Sequence, residues 1–215
     1  MRKYRVLGLA CVSAAFVIGA APVAAYQSGD WIVRGGVATV APTKDYSEVA
    51  DGAFELRVDR ETGIAVSFSY LLTDALSVNV LAATPFKHDI EARGVGTIGS
   101  TYHLPPTVTL SYFPLAGSGS EFQPYVGAGL NYTHFWEEKL NDSGKTATGA
   151  SDLSLDSSVG LAAHAGLDYR IDDQWGLGAE IYYINIETDA SLDGNDIGTV
   201  KIDPLVYRVS LIRRF

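Results

Sequence analysis

Between residues 63 and 72 the chain alternates. Ile64, Val66, Phe68, Tyr70 and Leu72 carry large apolar groups, while Gly63, Ala65, Ser67 and Ser69 between them are small. Successive side chains of a strand point to opposite faces, so this segment predicts a strand with one greasy side. The same period recurs over 76–86, 104–113, 124–136, 159–171 and 175–186. Segments 31–40 and 200–215 open and close the series, which makes eight strands in all.

The face opposite the greasy one is small or polar, and several of its positions are charged: Arg34, Asp168, Arg170, Glu180 and Arg208. A soluble sandwich would bury the apolar face and wet the polar one; a membrane barrel reverses this. Both alternate, so the period alone does not choose. Aromatic residues near strand ends do choose. Trp31, Tyr70, Tyr112, Trp136, Tyr169 and Trp175 look like the interfacial girdles of a membrane barrel. The connections agree, being shorter at 73–74, 114–122 and 172–174. They are long and polar at 41–60, 87–102, 137–157 and 187–199. The fold expected is all-β, an eight-stranded antiparallel transmembrane β-barrel.

The N-terminus adds a compartment. Arg2, Lys3 and Arg5 precede an uncharged, mostly apolar stretch over 6–21, and small residues then lead to a cut before Tyr26. That is the layout of a secretory signal peptide, so residues 1–25 are read as a cleaved signal and 26–215 as one barrel domain. The destination expected is the outer membrane of a Gram-negative bacterium, with outer-membrane lipid around the barrel. Cys11, the only cysteine, leaves with the signal. Losing three basic residues moves the formal charge from −9 to −12, which repels nucleic acid. His88, His103, His134 and His164 have no ligand spacing, so neither a metal nor a cofactor is expected. His88 and His103 flank one connection and could meet.

Several segments together resemble the OmpW family: 81–86 (LAATPF), 103–107 (HLPPT), 124–132 (PYVGAGLNY), 151–155 (SDLSL) and the Asp203-Pro204 pair. The order is right across almost the whole mature chain, and segment 41–60 departs most. The resemblance implies a narrow, hydrophobic interior channel that small hydrophobic molecules enter from outside and leave sideways into the membrane. It also implies that Leu81 and Tyr182, both of inward parity, narrow that channel.

Other assignments come from the residues themselves. Pro85, Pro105 and Pro106 cannot donate to a ladder, so strand pairing should fail beside them; a lateral opening or simple strand termination would follow. The mixed charges on the inward face predict a paired network plugging the periplasmic half. An eight-stranded interior is just wide enough for side chains, which excludes a general porin. Passive passage of small hydrophobic solutes is the leading function. A structural or surface-interaction barrel with a sealed core is the alternative. An enzyme is not expected, although His88, Asp89 and Ser100 could be drawn as a triad.

The last strand places Tyr207, Val209, Leu211, Arg213 and Phe215 on one parity. A terminal aromatic on such a strand resembles the signal by which barrel-assembly machinery recognises its clients, with Tyr207 and Phe215 as its residues. Deleting Phe215 should lower the outer-membrane level and leave protein in the periplasm. Cell fractionation reads this, and an unchanged membrane level would remove Phe215 from that role.

Overall fold

The computed structural model describes residues 26–44 and 46–215, so the signal segment 1–25 lies outside the described residues. The strands in chain order begin with β1 (Trp31–Ala41), β2 (Ser47–Val49), β3 (Phe54–Val58), β4 (Glu61–Thr73) and β5 (Leu76–Ala83). Next come β6 (Phe86–Ala92), β7 (Gly96–Leu104), β8 (Thr107–Tyr112) and β9 (Phe122–Leu140). Helix α1 (Asp142–Thr148) follows, then β10 (Leu153–Leu155), β11 (Ser158–Arg170), β12 (Trp175–Ile184), β13 (Glu187–Leu192), β14 (Asn195–Lys201) and β15 (Leu205–Arg214).

Eight of these close a ring in the order β1, β4, β5, β8, β9, β11, β12, β15, with every neighbouring pair antiparallel. First and last strands close it through ten residue pairs, from Ile32 opposite Arg214 to Ala41 opposite Leu205. No described helix is long and apolar enough to cross a membrane; the strands do the crossing. Within a closed ring every backbone donor and acceptor finds a partner in the chain, which is what lipid demands.

Parity holds around the ring. Phe68, Val108, Leu110, Val126, Leu130, Val159, Leu161, Val209 and Leu211 are exposed, as lipid-facing residues must be. Ser67, Ser69, Asn79, Thr109, Asn131 and Asp168 lie buried inside. Aromatics gather at the short-turn end, where Trp31 packs on Tyr70 and Phe122 on Tyr169, each at 5.0 Å between ring centroids. Phe215 is exposed there beside Arg213, whose guanidinium also lies 4.6 Å from the Trp175 ring.

The long-loop end departs from the sequence reading. Two of the four long polar connections, 87–102 and 187–199, are themselves mostly strand, 41–60 holds β2 and β3, and 137–157 holds α1 and β10. β2, β3, β6 and β7 continue the wall above β5, β8 and β9, while β10, β13 and β14 form a separate three-stranded sheet. Their outward residues are polar (Lys87, Asp89, Asp189), so this part stands above the lipid belt, and composition alone made it look like loop. Three predicted strands are accordingly split. Segment 76–86 breaks at Thr84-Pro85, 104–113 at Pro105-Pro106, and 200–215 at Asp203-Pro204, where Asp203 takes a positive φ of 39°. Each of these prolines thus lies in a short break where one strand ends and, within one to three residues, the next begins.

Lipid depth supplies a direct test. Leu110→Arg, on the outward face of β8, should cost about 2–4 kcal/mol, and Leu115→Arg, in the short turn after β8, about 0–1 kcal/mol. Folding titrations in lipid vesicles that gave equal penalties would contradict the placement of the membrane.

Candidate functional site: a layered lumen and a broken wall seam

The interior is stacked in layers from the short-turn end upward. Lowest is an apolar floor of Tyr26, Ile32, Leu71, Phe113, Tyr125 and Ile212. Tyr26 precedes β1 and packs edge-on to Phe113 at 5.5 Å.

Above the floor lie the ion pairs. Arg34 on β1 reaches across to Asp168 on β11, with Nη2 donating to Oδ2 at 2.6 Å and Nε to Oδ1 at 3.2 Å. Its Nη1 donates to Ser69 Oγ at 2.8 Å, and Tyr26 O–H donates to Asp168 Oδ2 at 2.9 Å. Beside this pair, Arg208 donates to Glu180 on the adjacent strand and to Ser67 Oγ at 2.7 Å. Tyr125 O–H donates to the other Glu180 oxygen. Desolvated charges need this many partners to be tolerated. The rings fit because glycines sit opposite them. Tyr125 is paired with Gly166 and His164 with Gly127, and a Cβ on Gly166 would lie 2.4 Å from the Tyr125 ring.

Tyr182 caps the ion pairs. It is fully buried, stacks on His164 at 4.5 Å and accepts from Asn79 Nδ2 at 3.1 Å on the opposite stave. Leu81, two residues along from Asn79, lines the same small cavity with Tyr182, Ala38, Ala65, Ala83 and Pro105. About 20 Å³ of it is reachable by the centre of a water-sized sphere. Higher still is a second apolar cavity of about 30 Å³ by the same measure, within the extension above the lipid. Leu56, Ile90, Ile98, Phe135, Leu153 and Ile202 are among its lining.

Phe86, His88 and His103 stand between the two cavities. Phe86 lines the lower one and the histidines the upper one, and the Phe86 ring meets His103 edge-on at 5.7 Å. His88 Nδ1 lies 2.6 Å from the Asp59 carbonyl, and the two histidine Nε2 atoms are 3.2 Å apart. Burial pushes both imidazoles below the usual histidine range, His103 to about 3, so the pair is neutral at pH 7.

The wall is broken at the same height. β5 pairs with β8 up to Leu81 opposite Thr107, and β6 with β7 from Phe86 opposite His103. Between these lie Pro85 on one side and Pro105 and Pro106 on the other. On the next seam, Thr84 N–H donates to Ile64 O at 2.8 Å; among the described residues the next backbone bond runs from Asp59 N–H to Asp89 O at 3.2 Å. The Phe86 ring covers that interval, close enough to Gly63 that a Cβ there would sit 2.8 Å from it. Pro106 O keeps partners in Tyr132 N–H and Asn131 Nδ2, at 3.0 and 3.2 Å.

Four of the five charged residues singled out from parity thus meet in the lumen. Arg170 lies lower, donating to Ser120 O at 2.6 Å with its guanidinium 5.6 Å from the Tyr26 ring. Leu81 and Tyr182 share a cavity, and the three prolines share one level. His88 is buried inward while Asp89 is exposed outward, so the possible triad is not assembled. The sequence reading missed Phe86, Asn79, Tyr125 and Tyr26. Inward parity marks Asn79 and Tyr125, whereas the period over 76–86 puts Phe86 outward and only the break at Thr84-Pro85 turns it in; which partner each meets depends on the opposite wall. Tyr26 lies outside any period.

A closed ring of eight antiparallel strands, greasy outside, polar within and girdled by aromatics, defines a small membrane β-barrel of the outer-membrane kind. Residues 27–215 match the OmpW family model, and the chain belongs to that family. It is 44% identical over 216 residues to Outer membrane protein W of Vibrio cholerae, covering 97% of each chain. The crystal structure of the outer membrane protein OprG from Pseudomonas aeruginosa superimposes with a TM-score of 0.80 at 36% identity, over 89% of this chain and 98% of that one. A more distant relative, 26% identical over 161 residues and 71% of each chain, is the Dibenzothiophene metabolism operon protein PahQ of Pseudomonas aeruginosa. The protein is thus an outer-membrane barrel.

The ion-pair layer yields its own prediction. Asp168→Asn leaves Arg34 buried without a countercharge and should destabilise the barrel by about 3–5 kcal/mol. Urea titration of the variant in vesicles measures it, and a loss below about 1 kcal/mol would mean that water or another anion reaches Arg34.

Proposed function

We propose that this barrel gives small hydrophobic molecules a passive way through the outer membrane's polar surface, and that it is not an enzyme. In this reading a solute enters the upper cavity from outside, passes Phe86 and the histidines, and reaches the lower cavity. Further descent is closed by the ion pairs, which an apolar solute cannot enter without stranding charge. It leaves sideways past Pro85, Pro105 and Pro106 into lipid. The observation that carries the reading is the coincidence of height: the apolar lumen ends where two adjacent wall seams lack backbone pairing. The dibenzothiophene in the distant relative's name is an apolar aromatic, which supports the solute class. Both cavities are small in this conformation, so passage requires Phe86 and its neighbours to swing aside, on the timescale of side-chain and loop motion.

Leu81 and Tyr182 narrow the lower cavity in this proposal, and Arg34, Asp168, Glu180 and Arg208 serve as the plug beneath it, with Arg170 holding the turn below. The barrel-assembly machinery would read Tyr207 and Phe215 during insertion. The small cavities and the bridged lumen also favour a second reading, a sealed structural or surface-interaction barrel whose extracellular strands bind partners.

Transport separates the two. Vesicles with lipopolysaccharide in the outer leaflet would carry wild type, Tyr182→Ala or Leu81→Lys at matched incorporation. Tyr182→Ala should raise entry of an apolar fluorescent solute, and Leu81→Lys should suppress it because an unpaired charge holds water in the path. Entry of a small ion should stay at the protein-free level in wild type and Leu81→Lys. Solute entry equal in all three proteins would favour the sealed barrel.

A further inference from the structure

We infer that solutes enter the upper cavity sideways, through the seam between β2 and β14, and that the β2–β3 hairpin is the door that admits them. The inference rests on the passage proposed above and names the entrance to it.

The extension above the lipid is laddered around most of its wall. β2 pairs with β3, β3 with β6, β6 with β7 and β7 with β9. On the far side β10 pairs with β13 and β13 with β14. Two junctions carry no ladder among the described residues, β9 to β10 and β14 to β2. The first is bridged by α1, whose capping residue Asn141 donates to Thr97 O from Nδ2 at 2.7 Å and to Ile98 O from its N–H at 2.9 Å. The second is held by scattered bonds. Ser47 Oγ accepts from Lys201 N–H at 3.0 Å and donates to Lys201 O at 3.3 Å, and Ala50 N–H donates to Ile197 O at 2.6 Å. Below them Thr43 bonds to Ile202 O and Asp203 O, at 3.3 and 2.7 Å, and serves as the hinge.

The wall is one side chain thick at this seam. Val49 and Ile197 line the upper cavity inside and, outside, a surface depression of about 490 Å³ by the same measure. Val49 Cα lies 4.0 Å from where a Cβ on Gly198 would stand, while Gly198 N–H turns to Asp196 Oδ1 at 2.7 Å. The two strands therefore touch here without pairing. At the hairpin tip Ala50 and Asp51 both hold positive φ, 51° and 53°, which L side chains adopt at a cost. A strained tip with few bonds to its neighbour belongs to the low-stability end of a fold. Swinging the hairpin leaves the β2–β3 ladder whole, and above the lipid water can take up the groups it frees. The opening joins depression to cavity through a throat of two apolar side chains, where an apolar solute strands no polar group.

A reversible bridge across the seam tests this. Glu48→Cys and Thr199→Cys would be combined with Cys11→Ala, which removes the only native cysteine. Both positions are exposed, and the Ser47–Lys201 and Val49–Gly198 contacts place them across the seam from each other. A short bis-methanethiosulfonate linker joins the two thiols, and reductant releases it in the same vesicles. Entry of N-phenyl-1-naphthylamine into lipopolysaccharide-bearing vesicles should fall to the protein-free rate on bridging and return on reduction. A control bridge between Asp89→Cys and Ser100→Cys, partners across the β6–β7 ladder, should leave entry unchanged. Entry that survives the seam bridge overturns the proposal and leaves the passage reading standing. A loss shared by the control bridge overturns it too, because the block is then indifferent to the seam. Independently of the variants' folding, Ala50 N–H of wild type should exchange with deuterium at least about tenfold faster than the ladder amides of β6 and β7. Equal protection means that the hairpin stays shut, and the proposal fails. If wild type admits the fluorophore no faster than protein-free vesicles do, the passage reading itself fails and takes this entrance with it.

Discussion

Hydrocarbon offers a backbone amide nothing to bond to, and the rest of this structure follows from that. Each unpaired N–H or C=O in the bilayer is costly, so strands can cross it only if the sheet has no edge. Closure between β1 and β15 removes the last edge. It also turns the strands' alternation into an inside and an outside, because a pleated ring must send every second side chain inward.

Closing at eight strands sets the interior volume, and the chain spends it in two ways. Below, long polar side chains reach across: Arg34 to Asp168, Asn79 to Tyr182, Tyr125 to Glu180. Each bond satisfies a group that would otherwise be stranded. Above, the inward positions are mainly Ala, Leu, Ile, Val and Phe, which have nothing to pair and pack into an apolar core around two small cavities. The boundary between these regimes is Tyr182, whose ring closes the polar layer while its flank lines the lower cavity.

At that boundary the rule of complete backbone pairing is relaxed. Proline has no N–H to leave unsatisfied, so it is the residue that interrupts a ladder at least cost. Three prolines sit at one level on adjacent strands, where the wall passes from lipid-facing to solvent-facing residues. Thr84, Tyr132 and Asn131 absorb neighbouring carbonyls, and Phe86 covers the remaining interval with a ring instead of a ladder. A ring on a side chain moves more readily than a hydrogen-bonded strand, which makes this interval the part of the wall best suited to open.

The alternation over 63–72 and its seven counterparts was enough to specify eight strands and their two faces. The reason is that side-chain direction in a strand depends only on sequence position. The aromatic residues at the strand ends likewise reported the membrane boundary, since their amphipathic rings are placed by the solvent and not by a partner. The extracellular strands were hidden for the converse reason: outside the lipid the outward face of β6 is Lys87, Asp89 and Glu91, and a strand with no greasy face toward lipid resembles a loop in composition. The charged residues could be recognised as inward from parity, but their partners could not. Arg34 and Asp168 are 134 positions apart and meet only because ring closure brings β1 within reach of β11. The same holds for His88 and His103. Spacing showed that they flank one connection, and only the folded hairpin, with the Asp59 carbonyl set against it, brings the two rings together.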